Sequence, residues 1–145
     1  MPMRVVGPVV EFGGEWTVSC FTKIPEMLHP GDALSLYFGI SPDRDISPFR
    51  QDLLFVHAVR DGRIVAQGCA TVYGAAAGTP ADNPQPGLAN IHVMIPEDIG
   101  PGPLEFMLCV KKSSGLLRLR PSVDEDGIGI DRRRVVIGGA AVAAP

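Results

Sequence analysis

The chain has 145 residues, with 13 Lys and Arg against 16 Asp and Glu, for a formal net charge of −3. That length suits a single domain able to bury a sizeable core without disulfides or a structural metal. The interspersed, slightly acidic charge disfavours a broad nucleic-acid surface. No run approaches the ~20 apolar residues of a membrane helix, so a soluble protein with no nucleic-acid or membrane partner is expected.

The 17 Gly and 14 Pro fall between short apolar runs instead of in one linker, which is the punctuation of an all-β sandwich or barrel. Cys20, Cys69 and Cys109 are an odd set with no metal-ligand spacing, each inside an apolar run. Buried free thiols and assembly in a reducing, cytoplasmic compartment are the expectation. The first twelve residues carry one basic side chain and no long apolar stretch, so they do not read as a secretory leader.

In chain order, residues 4–12 are valine-rich but contain Pro8, which places them on an edge strand. Gly13-Gly14 turns into residues 15–24, where Trp16, Val18 and Cys20 alternate with polar neighbours. Trp16 is the largest expected core anchor. A loop with Pro25, Pro30 and Gly31 follows, then residues 32–40 with Leu34, Leu36, Phe38 and Ile40 on one face.

Residues 41–48 read as a turn that delivers the central hairpin, residues 51–73, whose two apolar runs are separated by Asp61-Gly62. Asp-Gly between hydrophobic runs favours a type I′ turn, because both central residues need positive φ. A helix over residues 49–59, with Ser47 as cap and Pro48 as first residue, competes with the first strand. The β-branched and aromatic content of 53–59 favours the strand.

Residues 74–89 form an aperiodic loop longer than compact domains ordinarily use. Residues 90–95 make a short strand. Residues 104–111 make a central strand with Leu104, Phe106, Leu108 and Val110 inward. After a turn at 111–115, Leu117 and Leu119 are expected inward and Arg118 and Arg120 outward, with a last strand over 132–137. The total is eight or nine strands, enough for an immunoglobulin-like or jelly-roll-type antiparallel sandwich spanning 1–137. Residues 138–145, GGAAVAAP, read as a C-terminal arm.

No catalytic or cofactor motif is found, and no cofactor is expected. There is no Gly-x-Ser-x-Gly elbow for a histidine to serve. His57 and His92 lie within strand-like runs, as structural histidines do, and His29 lies in a loop. An enzyme site would have to be assembled from His57, His92 and the acidic turn. That turn, residues 122–131, gathers Asp124, Glu125, Asp126 and Asp131 around two glycines. Asp124, Asp126 and Asp131 are therefore weak Ca²⁺ candidates, although Arg133 stands where an EF-hand needs its bidentate Glu. Strand alternation would send Arg132 and Arg134 to one face and Arg133 to the other. Three arginines suit phosphate or an acidic neighbour. Pairing within the chain or between subunits is the ordinary outcome.

The order Leu28-His29-Pro30-Gly31-Asp32, Phe55-Val56-His57, Asp61-Gly62-Arg63-Ile64-Val65-Ala66, Ile95-Pro96 and Gly100-Pro101-Gly102 resembles bacterial and phage immunoglobulin-like sandwiches. It is similar to the accessory modules of polysaccharide transport and modification proteins. The resemblance is one of turn grammar and implies a fold. The expected role is a non-enzymatic structural or interaction subunit of a larger assembly, such as a phage virion decoration or tail-associated protein. It would associate with itself or with protein partners through Arg132, Arg133, Arg134, Gly138, Val142 and Pro145. The alternative is a carbohydrate-binding accessory module with Tyr37 and Tyr73 as stacking residues.

Overall fold

The computed structural model describes residues 4–44, 46, 51–73, 87–112, 117–123 and 125–144. In chain order its strands are β1 (Val9–Phe12), β2 (Trp16–Cys20), β3 (Met27–Leu28), β4 (Ala33–Pro42), β5 (Gln51–Arg60), β6 (Arg63–Tyr73), β7 (Gly87–Met94), β8 (Gly102–Lys112), β9 (Pro121–Val123), β10 (Ile130–Asp131) and β11 (Arg134–Val142). One sheet has the order β7-β4-β2-β1-β9, the other β10-β11-β8-β5-β6, and β3 joins β11. All pairings are antiparallel except β3 with β11. The fold is an all-β sandwich.

The period-two pattern builds the core. Val10, Phe12, Trp16, Val18, Leu36 and Phe38 from the first sheet meet Leu54, Val56, Leu104, Phe106 and Leu108 from the second, all buried. The Trp16 Nε1 donates to Asp52 Oδ2 at 2.9 Å, so the indole buries its ring without orphaning its donor. Glu15, buried beside it, pairs with Arg44 and Lys112.

The central hairpin is a strand pair, not a helix. β5 is hydrogen-bonded to β6 on one side and β8 on the other. Asp61 and Gly62 take φ of 51° and 77° between Arg60 and Arg63, the two positive values of a type I′ turn. The cap proposed for the competing helix, Ser47 with Pro48, lies outside the described residues.

Several boundaries differ from the sequence reading. Among the described residues there are eleven strands where eight or nine are expected, because β3, β9 and β10 have two or three residues each and carry no visible periodicity. β1 is interior between β2 and β9, and Pro8 does no harm there because it precedes the ladder. Residues 138–142, read as the start of an arm, complete β11, where Ala140 and Val142 are buried. Small residues are required at this point: a Cβ on Gly138 would come within 2.7 Å of Ile24. Pro145 lies outside the described residues, as do 74–86 of the long connection, which ends where β7 begins. Leu117 is 74% exposed instead of inward, since 117–120 crosses from one sheet toward the other and makes only the Lys111–Arg118 bridge.

Two further features fix the frame. At one side of the sandwich β6 and β7, edges of opposite sheets, approach until a Cβ on Gly68 would lie 2.1 Å from the His92 carbonyl oxygen. At one end, Arg60 donates from Nε to Pro103 O (3.1 Å), from Nη1 to Gly100 O (2.7 Å) and from Nη2 to Gly102 O (2.9 Å). One planar fork thus holds a Gly-Pro-Gly-Pro bend that cannot supply its own ladder. Arg60→Ala is expected to cost about 1 kcal/mol in urea denaturation, and Arg60→Lys, lacking the fork, to recover less than half of it. Equal stability of Arg60→Lys and the parent would show that the fork is not what matters.

Candidate functional site

The side chains of β5 and β8 that alternate with core residues point to the outside of the second sheet, yet His57, Met107 and Cys109 are buried there. Two arginines, Arg118 and Arg134, lie against His57 and Cys109. Arg118 hydrogen-bonds the Cys109 thiol. Arg134 is 2% exposed; its Nη1 meets His57 Nδ1 at 3.3 Å and its Nη2 donates to Asp131 Oδ2 at 3.2 Å. A guanidinium can only donate, so His57 Nδ1 accepts and the neutral ring carries its proton on Nε2.

The titratable His57 and Cys109 of this layer are held neutral. Burial, with the nearby charges of Arg118 and Arg134, brings the His57 pKa down to about 4. Burial pushes the Cys109 thiol up, against a smaller opposing pull from Arg118, Arg134 and Lys111. At neutral pH both groups are uncharged, so the pair supplies neither a thiolate nor an imidazolium. Cys20 in the core is likewise pushed up to about 12 by burial. Cys69, expected to be buried, is exposed on the outer side of β6, because that edge strand has no cover there.

Above this layer three chain segments meet. The end of β8 holds residues 118 and 119 through the Lys111–Arg118 bridge and a bond from Leu119 N to Val110 O of 2.8 Å. Those residues are laced to the β10–β11 turn: Arg118 Nη1 donates to Arg132 O (3.0 Å) and Arg133 Nη1 to Arg118 O (2.7 Å). The turn itself is Arg132-Arg133, with φ of 53° and 60° between paired Asp131 and Arg134. A two-residue hairpin turn requires these angles, and Gly or Asn normally supplies them. Placing two arginines there costs roughly 1 kcal/mol or more each.

Between the segments lies an open cavity of about 350 Å³ lined by Lys111, Leu117, Arg118, Arg132 and Arg133. Four of the five are cations, and among the described residues none of the four forms an ion pair. Strain at two arginines and a concentration of unneutralised charge coincide, and the arrangement is chemically suited to binding an anion. Arg133→Gly should relieve the turn and raise stability by about 0.5–1 kcal/mol while removing one cation. Thermal denaturation checks this, and a lower melting temperature would mean that the Arg133–Arg118 contact outweighs the strain.

The sequence-derived site residues are distributed differently from expectation. Arg132 and Arg133 share the cavity, whereas Arg134 is buried below it, because the turn interrupts the strand alternation assumed for 132–137. Gly138 and Val142 sit within β11, away from the cavity lining. Asp126 is exposed and Asp131 is engaged by Arg134, while Asp124 lies outside the described residues. Among the described residues no three His, Cys, Asp or Glu side chains form a group able to hold a metal. His57 and His92 are in different sheets and are not brought together. Lys111, Leu117 and Arg118 are not among the site residues expected from the sequence. Basic pairs at 111–112 and 118–120 were the only available signal.

The outer face of the first sheet carries a second arrangement. Tyr37 of β4 is half-buried opposite Asn90 of β7. Ser35 Oγ donates to Asn90 Oδ1 at 2.9 Å, and Asn90 Nδ2 lies 3.3 Å from His92 Nε2. The Phe21 ring lies over Gly39, two residues along the same face from Tyr37, so closely that a Cβ there would be 2.7 Å from the ring. The side chain of Tyr73, the other stacking candidate, lies outside the described residues.

Comparison with known proteins adds no relative: no family model, curated protein or solved structure matches the chain.

Proposed function

We propose that this protein is a non-enzymatic interaction subunit of a larger assembly, of the immunoglobulin-like type that decorates a virion or its tail, and that it docks through the arginine-tipped β10–β11 hairpin. The observation that carries this reading is the cavity of Lys111, Arg118, Arg132 and Arg133, whose charge no described carboxylate neutralises. Unpaired cations held on a strained turn favour an anionic partner. The neutral state of His57 and Cys109 supports a binding role over acid–base or nucleophilic chemistry at this place. Light scattering and electron microscopy on the native protein test the proposal. A mass well above one chain is expected, falling toward the monomer at high salt and in the double variant Arg132→Glu/Arg133→Glu. A stable monomer at every salt concentration would overturn it.

The alternative, a carbohydrate-binding module, is favoured by one specific feature: the Tyr37 and Phe21 rings beside the hydrogen-bonded row Ser35, Asn90 and His92 on an open sheet face. Rings flanked by side chains that both donate and accept hydrogen bonds suit sugar recognition. Binding on a glycan array that is abolished by Tyr37→Ala would support it, and an array without signal would remove it.

A further inference from the structure

We infer that the cavity at the β10–β11 turn is a phosphoryl-binding site: it takes a diphosphate or phosphate monoester, a compact tetrahedral oxyanion with two or more negative charges. The inference rests on the reading that this cavity is where the protein docks, and it names the chemical group seated there.

The lining decides the class of ligand. Lys111, Arg118, Arg132 and Arg133 offer only donors, and the fifth residue, Leu117, offers only an apolar flank. A neutral sugar presents hydroxyls that need acceptors as well as donors, and among the described residues no carboxylate or amide side chain lines the cavity. A nucleobase needs a ring to stack on, and no described aromatic side chain lines it either. A lone carboxylate would leave most of four converging positive charges uncompensated, whereas a phosphate monoester or diphosphate carries the charge and the acceptor oxygens to engage several donors at once. The volume of about 350 Å³ is at the low end of small-molecule sites, which suits a small anion with a short substituent against Leu117.

The donors are also partly pre-positioned. Arg118 and Arg133 each commit one guanidinium nitrogen to a backbone carbonyl across the cavity, Arg132 O and Arg118 O, which orients the planar groups; Arg118 is held further by the Cys109 thiol, and each guanidinium keeps additional N–H donors beyond these bonds. The side chains of Arg132 and Lys111 have no hydrogen-bonded partner among the described residues, so they can close on the ligand. Pre-orientation of this kind lowers the ordering cost of binding.

Isothermal titration calorimetry of the full chain with inorganic pyrophosphate, at matched ionic strength against malonate, tests the inference. Saturable one-to-one binding of pyrophosphate is expected, with malonate at least about tenfold weaker. Lys111→Gln and Arg132→Gln should each weaken pyrophosphate binding about tenfold, the loss of one charge-assisted hydrogen bond or slightly more, without moving the melting temperature. Arg63→Gln, which removes an exposed cation at the distant Asp61-Gly62 turn, should leave binding unchanged. Malonate binding as tight as pyrophosphate, equal losses in the Arg63→Gln control, or no pyrophosphate heat at all would each overturn the phosphoryl assignment. Because the titration reads one chain with one small anion, it can fail while salt-sensitive assembly persists. It can equally succeed on a monomer, so the two readings fail separately.

Discussion

Gly68→Ala is expected to destabilise the protein by about 3 kcal/mol or more, the upper range for forced overpacking. The new methyl carbon would sit 2.1 Å from His92 O, 2.8 Å from Ile91 Cγ2 and 3.0 Å from the His92 carbonyl carbon. Two of those three atoms are backbone of β7, which β4 holds in register along its whole length, so no rotamer change relieves the clash. Relief requires β6 to lift away from β7, opening the side of the sandwich and wetting Ile91, Val72 and their neighbours. Gly100→Ala is the matched comparison, since a Cβ there meets nothing within 4 Å. Urea denaturation should show the first variant far below the parent and the second close to it. A Gly68→Ala midpoint within error of the parent would mean that the two edges are not in contact in solution.

The second large effect is a dependence of stability on pH that belongs to one histidine. Native His57 has a pKa of about 4, against an ordinary value of 6.5. The groups facing it are Arg134, hydrogen-bonded to its ring, and nearby Arg118, both positive and both opposing protonation. As pH falls through 6.5 the unfolded chain takes up a proton that the native protein refuses until about pH 4. The stabilisation is therefore complete above pH 6.5 and lost progressively down to about 4. The shift corresponds to a loss on the order of 3 kcal/mol. His57→Gln keeps an acceptor for Arg134 and removes the proton, so its stability should fall less steeply across that window. Parallel curves for variant and parent would show that His57 does not carry the effect.

The parts of the fold that were legible in the sequence are those where one local rule acts alone. Leu34, Leu36, Phe38 and Ile40 alternate without interruption, and β4 is found there with that face inward. Asp61-Gly62 carries the chemistry of a type I′ turn and forms one. Misreadings arose where distant residues set the outcome. Arg132-Arg133 has none of the residues that usually mark positive φ, so in the sequence the turn looks like the start of a strand. Its angles are held by bonds with Arg118, fourteen and fifteen residues away. The sequence GGAAVA has too little apolar contrast to look like a strand. Its smallness is set by Ile24, which only the folded protein brings against Gly138. Alternation points Leu117 inward, but alternation predicts a face only for a residue within a ladder, and this one precedes the bridge at Arg118. The cavity was least visible, since its charge comes from the end of β8, a crossing segment and a hairpin tip.

The position of β11 bears on how the domain acquires its fold. The strand lies against β8 on one side and is met on the other by β10 at its beginning and by the parallel β3 at its end, where Ala141 and Val142 pair with Met27 and Leu28. Residues near the start of the domain thus find their partners only in its last strand. Until that strand arrives, one edge of β8 stays unpaired and Leu28 has no finished core to enter. Closing so long a loop early is entropically unfavourable, and topologies dominated by such pairings fold over milliseconds to seconds. During that interval the bare β8 edge is the place where two nascent copies could pair wrongly with each other.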